Sequence, residues 1–393
     1  MRRRYVAIAA SALLAVGACS SEQEPTRSSV DITKLDAGNY PTKPIDVEAL
    51  RDSSSGSVRE SVRIGNSTPV PYEYDSRLAY GLDYNRSQII TPAEPPYPDE
   101  VGIKVERKNF TNEFPGLVAG WRTHATRRSN SGEGRGIDTW SVRFDTPENA
   151  RNAAAKMAGL IPGSAHTIDG HPGAQTKVTP AEPGDITPKM RSWLAHEDML
   201  IYLQISDPVS RPFEIPDNAE IVKKFYDKQI ERLRGYSRTP IQEIPRIPLD
   251  VDGLLSHTLP ADKVTSRIGV YPTHVVVSQA ALPVAAASAY ADAGVDYIVS
   301  SGAFVYRAKD AAAAERLSAA FVGGTLSPEL VTAEASPPPH MPNAKCNSGD
   351  PNRSTPPSCS YTVGRYLVRV GGANLQDVYQ RAAAQYLLLA DLG

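Results

Sequence analysis

Cysteine is scarce in this chain, three in 393 residues, which excludes a small scaffold held together mainly by disulfides. No charge sign dominates: 42 Lys and Arg stand against 44 Asp and Glu. The concentrated positive face that a phosphate backbone requires is therefore missing, and nucleic acid is excluded as a main partner. The apolar run from Val6 to Val16 is too short to cross ~30 Å of hydrocarbon as a helix. Also missing are a GxSxG elbow, an HExxH helix, a CxxC pair, a Walker loop and a paired-carboxylate signature. Glycine and proline are plentiful, 28 and 33, but aperiodic, so a collagen-like chain is excluded. An apolar share of 41% over this length can bury a sizeable core and predicts two domains rather than one.

The start of the chain carries the sharpest signal. Arg2, Arg3 and Arg4 precede the apolar run, and Val16-Gly17-Ala18-Cys19 closes it, the layout of a secretory signal over residues 1–18. The closing four residues resemble a bacterial lipobox, in which small residues admit the peptidase and the cysteine thiol receives diacylglycerol. Cys19 is thus the expected lipidation site, and the expected location is the outer face of the cytoplasmic membrane, within the cell envelope. Loss of Arg2 to Arg4 takes the mature charge to about −5, so the lipid rather than basic residues would be the anchor. Residues 19–57 read as a polar tether, although Leu35 and Tyr40 offer apolar side chains for docking, and Asp52 to Ser57 reads as a second polar break. The other cysteines, Cys346 and Cys359, lie in a loop rich in Pro, Ser, Asn and Gly. In an exported protein they are expected to form a structural disulfide, contributing about 3 kcal/mol.

The body predicts an α+β fold: two repeated strand-helix-loop-strand-helix domains with largely antiparallel sheets, preceded by the lipidated tether. The first domain is expected over residues 58–239. Thr139 to Phe144 alternates as a half-buried strand, and Thr146-Pro147-Glu148 opens a helix with Ala150, Ala153, Met157 and Leu160 on one face. A long loop follows, then a strand at Met199 to Ile205 and a helix opened by Asp217 with Glu220. Residues 240–248 form a Pro-rich linker without regular structure. The second domain, residues 249–393, repeats the order. It has a strand at Ala303 to Tyr306, a helix capped near Asp310, a long loop holding the disulfide, a strand at Tyr366 to Val370 and a helix capped by Asn374. Leu117 to Thr123, and His274 to Ser278 with the helix Pro283 to Ala293, are expected to complete the burial of the two sheets, with Gly294 ending that helix.

Lys34 to Thr42, Pro248 to Leu255 with Thr258-Leu259-Pro260, and Asp292 to Asp296 resemble an uncharacterised lipoprotein family of mycobacteria and related mycolic-acid-bearing actinobacteria. The resemblance covers most of the mature chain and brings no established activity or catalytic residues. Residues 58–76, with two prolines and Asn66-Ser67-Thr68, depart from the more helical segment the resemblance implies. The order of elements with a disulfide loop also resembles extracellular sensor domains of mycobacterial receptor kinases.

Arg122, Arg127, Arg128 and Arg135 surround a hairpin tip at Gly132 to Gly136 and are the candidate ligand-binding residues, suited to phosphate or an acidic glycan. Trp121, Trp140 and Trp193 would line either the core or an apolar cleft. His166 and His171 flank a Gly- and Pro-containing loop that disfavours a shared metal, His196-Glu197 reads as a pair at the entry of a strand, and Asp250-Val251-Asp252-Gly253 reads as a helix cap rather than a calcium loop. No metal, cofactor or catalytic residue is expected. The leading expectation is non-enzymatic binding of an envelope lipid, glycan or small ligand, with the groove between the halves as a place for it. The alternatives are a scaffolding module of a membrane complex and an envelope hydrolase whose residues meet only in space. An apolar cavity would favour the first, a flat apolar patch the second, and clustered titratable groups the third.

Overall fold

A computed structural model describes residues 30–81, 88–99, 102–181, 187–263, 265–324, 326, 333–353 and 355–392. The expected signal segment and Cys19 lie outside the described residues. The first half contains α1 (Ser55–Asn66), β1 (Tyr80–Gly81), β2 (Ile89–Ile90), α2 (Phe110–Glu113), β3 (Leu117–Thr126) and β4 (Gly136–Phe144). It continues with α3 (Pro147–Leu160), β5 (Ser164–His166), β6 (Gln175–Thr179), β7 (Lys189–His196), β8 (Met199–Ser206) and α4 (Ile215–Leu233). The second half contains β9 (Gly269–Pro272), α5 (Thr273–Gln279), α6 (Pro283–Ala293), β10 (Tyr297–Ser300), β11 (Phe304–Arg307) and α7 (Ala311–Val322). It ends with β12 (Glu334–Ala335), β13 (Lys345–Asn347), β14 (Ser358–Val363), β15 (Tyr366–Gly371) and α8 (Leu375–Leu389).

The fold is α+β with two antiparallel sheets. The first runs β1-β3-β4-β8-β7-β6-β5, with β2 also on β3, and the second runs β12-β13-β14-β15-β11-β10-β9. Helix starts follow side-chain capping: Thr146 accepts from Asn149 N at 3.1 Å, Asp310 from Ala313 N at 2.7 Å and Asn374 from Asp377 N at 3.0 Å, each supplying an otherwise orphaned N–H with a partner. α6 ends at Gly294 with φ 57°, a left-handed conformation that a side chain would disfavour.

Strand alternation divides the burial between faces. In the first half Trp140, Val142, Phe144, Leu200 and Tyr202 pack under α3, whereas Met199, Ile201, Leu203 and Ile205 pack against Phe225 and Tyr226 of α4 and Val58 and Val62 of α1. In the second half Ile298, Tyr306 and Leu367 face α6 and α7, and Val299, Val305 and Val368 face Val378 and Ala382 of α8. α1 sits close on β3, because Gly65 presents no side chain: a Cβ there would lie 2.5 Å from the Trp121 ring. On the same helix the buried Glu60 accepts from Arg143 Nη1 at 2.8 Å, Thr239 Oγ1 at 2.7 Å and the Tyr236 hydroxyl, partners that a buried carboxylate requires.

The structure differs from the sequence reading in several places. From Val30 onward the expected tether 19–57 is docked on the body. Val30, Leu35 and Val47 pack into the second core, and Ala37 and Tyr40 pack against Leu259, Ala384 and Leu388. Its apolar residues recur often enough to hold a strap in place. The break at Asp52 to Ser57 is the start of α1, where Asp52 accepts from Ser54 N at 2.8 Å, and the helix then runs to Asn66, ahead of Pro69 and Pro71. The linker 240–248 is not irregular throughout: Ile241–Arg246 is a 3-10 turn, and Ile244 is buried in the first core. Both long loops hold strands, β5 to β7 and β12 to β14. Asp217 lies inside the first turn of α4 rather than at its cap, since Pro216 already supplies a fixed φ at the helix start. His196 ends β7 and Glu197 takes φ 53° in the hairpin to β8, so this pair closes one strand instead of opening another. Asp250 accepts from Leu255 N and Ser256 N at 2.7 and 3.0 Å, yet caps a series of turns, because φ is positive at both Asp252 and Gly253 and interrupts a helix.

The halves share buried surface. Tyr271 and Val275 of the second half belong to the first core. Trp121 Nε1 donates to Ser278 Oγ at 3.3 Å, and His274 Nε2 lies 2.7 Å from the Thr68 carbonyl. The segment 274–278 is therefore the helix that joins the halves.

Candidate functional site

The four arginines of the hairpin do not form one site. Arg122 donates to Asp138 at 2.6 Å and Arg127 to Asp75 at 2.6 Å, while Arg135 reaches Asp207 at 2.8 Å and Glu214 at 2.6 Å. Arg128 is exposed. Three of the four charges are thus matched by carboxylates within the fold, and the tip is not a free cationic patch. The carboxyls show the effect: His124 and Arg122 hold Asp138 well below its ordinary range against the opposing influence of burial. Asp207 is pushed down to about 2 by hydrogen bonds from Ser210, Arg135 and Val209, again against burial.

The three tryptophans are core residues, each at most 1% exposed. His171 pairs with Asp227 at 2.9 Å and sets its ring edge against Tyr226. Among the described residues no three His, Cys, Asp or Glu side chains cluster as metal ligands would. Cys346 and Cys359 are bonded, with Cα atoms 4.1 Å apart on the facing strands β13 and β14.

A groove of about 600 Å³ lies on the α6/α7 side of the second sheet, within the size range of small-molecule sites. Its floor comes from alternate residues of β10 and β11, Ile298, Ser300, Phe304 and Tyr306, which one face of a pleated sheet must share. α5 and α6 contribute Val276, Ala286 and Tyr290, α7 contributes Phe321, and Ile89 enters from the first half. The cavity therefore opens where the two halves meet. Phe304 is 47% exposed although it lies in a strand at the middle of the sheet, an apolar ring left toward solvent on the groove side. Burial pushes the Tyr271 hydroxyl up, and beneath that ring the Arg59 guanidinium, 5.4 Å from its centroid, is pushed down by burial as well. Two arginines line the groove, Arg267 and Arg369. Arg369 on β15 stacks over the Phe321 ring at 4.4 Å and has no carboxylate partner among the described residues.

No local pattern in the sequence marks the groove residues as a ligand site, because they come from nine elements, from β2 to β15. The one legible signal was the exposed member of the β11 alternation, an aromatic at Phe304 in place of a polar residue.

Residues 47–249 match the N-terminal region, and residues 254–392 the C-terminal region, of a family described as a domain of unknown function, DUF7373. The chain belongs to the DUF7373 family. No curated protein matches the DUF7373 chain. Among solved structures it is similar to the extracellular domain of PknH from Mycobacterium tuberculosis, at 10% identity and a TM-score of 0.30, over 48% of this chain and 99% of that one. That likeness is too slight to transfer a fold or an activity. No described helix of this DUF7373 protein is long and apolar enough to cross a membrane.

Proposed function

We propose that this DUF7373 protein is exported, is anchored through lipid on Cys19, and holds an apolar or amphipathic small molecule of the cell envelope in the groove of its second half without acting on it chemically. The observation that carries this reading is the groove itself: about 600 Å³, floored by a sheet that presents Phe304 and Tyr306 and walled by Tyr290 and Phe321. Apolar surface of this extent left uncovered beside polar residues is the usual mark of a binding site. The halves are read as two copies of one unit. This is supported by strand orders that match step for step, β3-β4-β8-β7-β6-β5 against β10-β11-β15-β14-β13-β12, with a helix after the second and last strands of each copy. Gly170-His171-Pro172-Gly173-Ala174 and His340-Met341-Pro342-Asn343-Ala344 occupy the same turn in the two copies, with φ of 74° at Gly170 and 64° at His340.

Phenylnaphthylamine, a neutral apolar dye that brightens away from water, tests the groove. Saturable binding to the full mature chain is expected, with a loss of about tenfold or more when Ser300→Trp fills the floor. Brightening that Ser300→Trp leaves unchanged, or none at all, overturns the reading. Lipid anchoring is tested separately in the native host: a Cys19→Ser chain that stayed in the membrane fraction to the wild-type extent would contradict it.

A further inference from the structure

The two sheets fill the same layer differently. In the first, Trp140, Tyr202 and Trp193 are register partners across β4, β8 and β7, with ring centroids 4.9 and 5.3 Å apart. The layer is closed over by Ile103, Phe110 and Phe114. In the second, the register partners across the corresponding strands β11, β15 and β14 are Phe304, Arg369 and Ser360. Trp140 and Phe304 stand at the same remove from the helix that follows, which begins at Pro147 in one half and Ala311 in the other. Arg369 therefore holds the position of Tyr202, and the groove lies where the first half has a sealed aromatic core.

An arginine is a costly replacement for an aromatic residue at such a place unless its charge is used. The Arg369 guanidinium is half-buried, it is stacked on Phe321, and no described carboxylate neutralises it. Stacking on a ring fixes the plane of a guanidinium while leaving its N–H edge free to donate, and that edge matches a carboxylate or a phosphate. The apolar floor meanwhile accepts hydrocarbon.

We infer that the groove is a site for an amphipath with a hydrocarbon chain and an anionic head, the chain lying along Phe304, Tyr306 and Tyr290 and the head paired with Arg369. This rests on the groove being a binding site. It goes further in naming the ligand class and the residue that selects it.

The test uses the full mature chain with three single-chain probes: palmitate, its uncharged methyl ester, and lysophosphatidic acid. Palmitate, lysophosphatidate or both should bind about tenfold or more tightly than the ester, the size of effect expected of one charge-assisted pair away from bulk water. Which anion wins distinguishes a carboxylate head from a phosphate head. Arg369→Gln should reduce the preference to within about threefold, and Arg369→Lys should restore part of it. Equal binding of ester and anions to the wild type overturns the anionic-head inference but leaves the groove reading standing. A preference that survives Arg369→Gln overturns the assignment to Arg369. Absence of binding by all three, together with absence of the dye signal, overturns both.

Discussion

Thr176 Oγ1 and Ser192 Oγ lie 2.7 Å apart across β6 and β7, where the two residues are directly opposed, as Cys346 and Cys359 are across β13 and β14. On the proposed reading of the halves as two copies, one half closes this point with a hydrogen bond between hydroxyls and the other with a covalent bond. The Tyr226 hydroxyl adds a donor to Ser192 Oγ at 2.7 Å, so the polar version is a small buried network anchored on α4.

The equivalence predicts that Thr176→Cys with Ser192→Cys forms a second disulfide on export. Directly opposed residues at this spacing are within bridging distance. Mass spectrometry with and without reduction should show the extra bond. A pair of free thiols in the folded protein would contradict the equivalence.

Removing the native bridge has a definite cost. Cys346 and Cys359 are 13 residues apart in sequence, and opening a loop of that size should cost about 3 kcal/mol through the unfolded chain. Cys346→Ser with Cys359→Ser should therefore unfold at a clearly lower urea concentration, with a slope equal to or steeper than the wild type's, since the freed unfolded chain exposes more surface. An unchanged midpoint would show that the bridge does not stabilise the fold.

Gly65 is a packing requirement. Gly65→Ala places a methyl against the Trp121 ring, and overpacking of this kind should cost about 1–3 kcal/mol. Gly159→Ala, on the open side of α3 with nothing near its added carbon, should be neutral or stabilising. Comparing the two by thermal unfolding separates a close approach from a general effect of losing glycine.

Acid sensitivity should follow the hairpin carboxylates. Asp207 is pushed down from 3.8 to about 2 in the fold. A group lowered in this way contributes its full stability above the unfolded value, near 4, and loses it as pH falls through about 2. The urea midpoint should thus drop between about pH 4 and pH 2, and Asp207→Asn should be less stable at pH 7 and show a flatter profile in that window. Parallel profiles for the variant and the wild type would contradict the lowering of the Asp207 carboxyl by its hydrogen bonds.

Much of the fold can be read from local pattern. Thr146, Asp310 and Asn374 announce helix starts because capping is a short-range event, and Gly294 marks a helix end for the same reason. The strands β6, β7, β13 and β14 were hidden because they stand among Gly, Pro and Ser and gain their order from neighbours far along the chain. Leu35 and Tyr40 already pointed to docking of the strap, but Val30, Leu35 and Val47 are spread too thinly for a period, and only the shape of the second core shows where they fit. The arginines near the hairpin tip were visible as a cluster, but their carboxylate partners Asp75, Asp207 and Glu214 are distant in sequence. Of the groove, its place between the halves and the aromatic at Phe304 were legible, but its lining comes from nine elements and takes shape only in the fold.

The most direct test is native mass spectrometry of the mature chain, exported without its lipid by the native host and purified gently. The account predicts a stoichiometric adduct that yields an anionic amphipath on extraction and is lost from Ser300→Trp. A wild-type chain that carries no adduct and also fails to take up either palmitate or lysophosphatidic acid, or an adduct that Ser300→Trp retains, would contradict it.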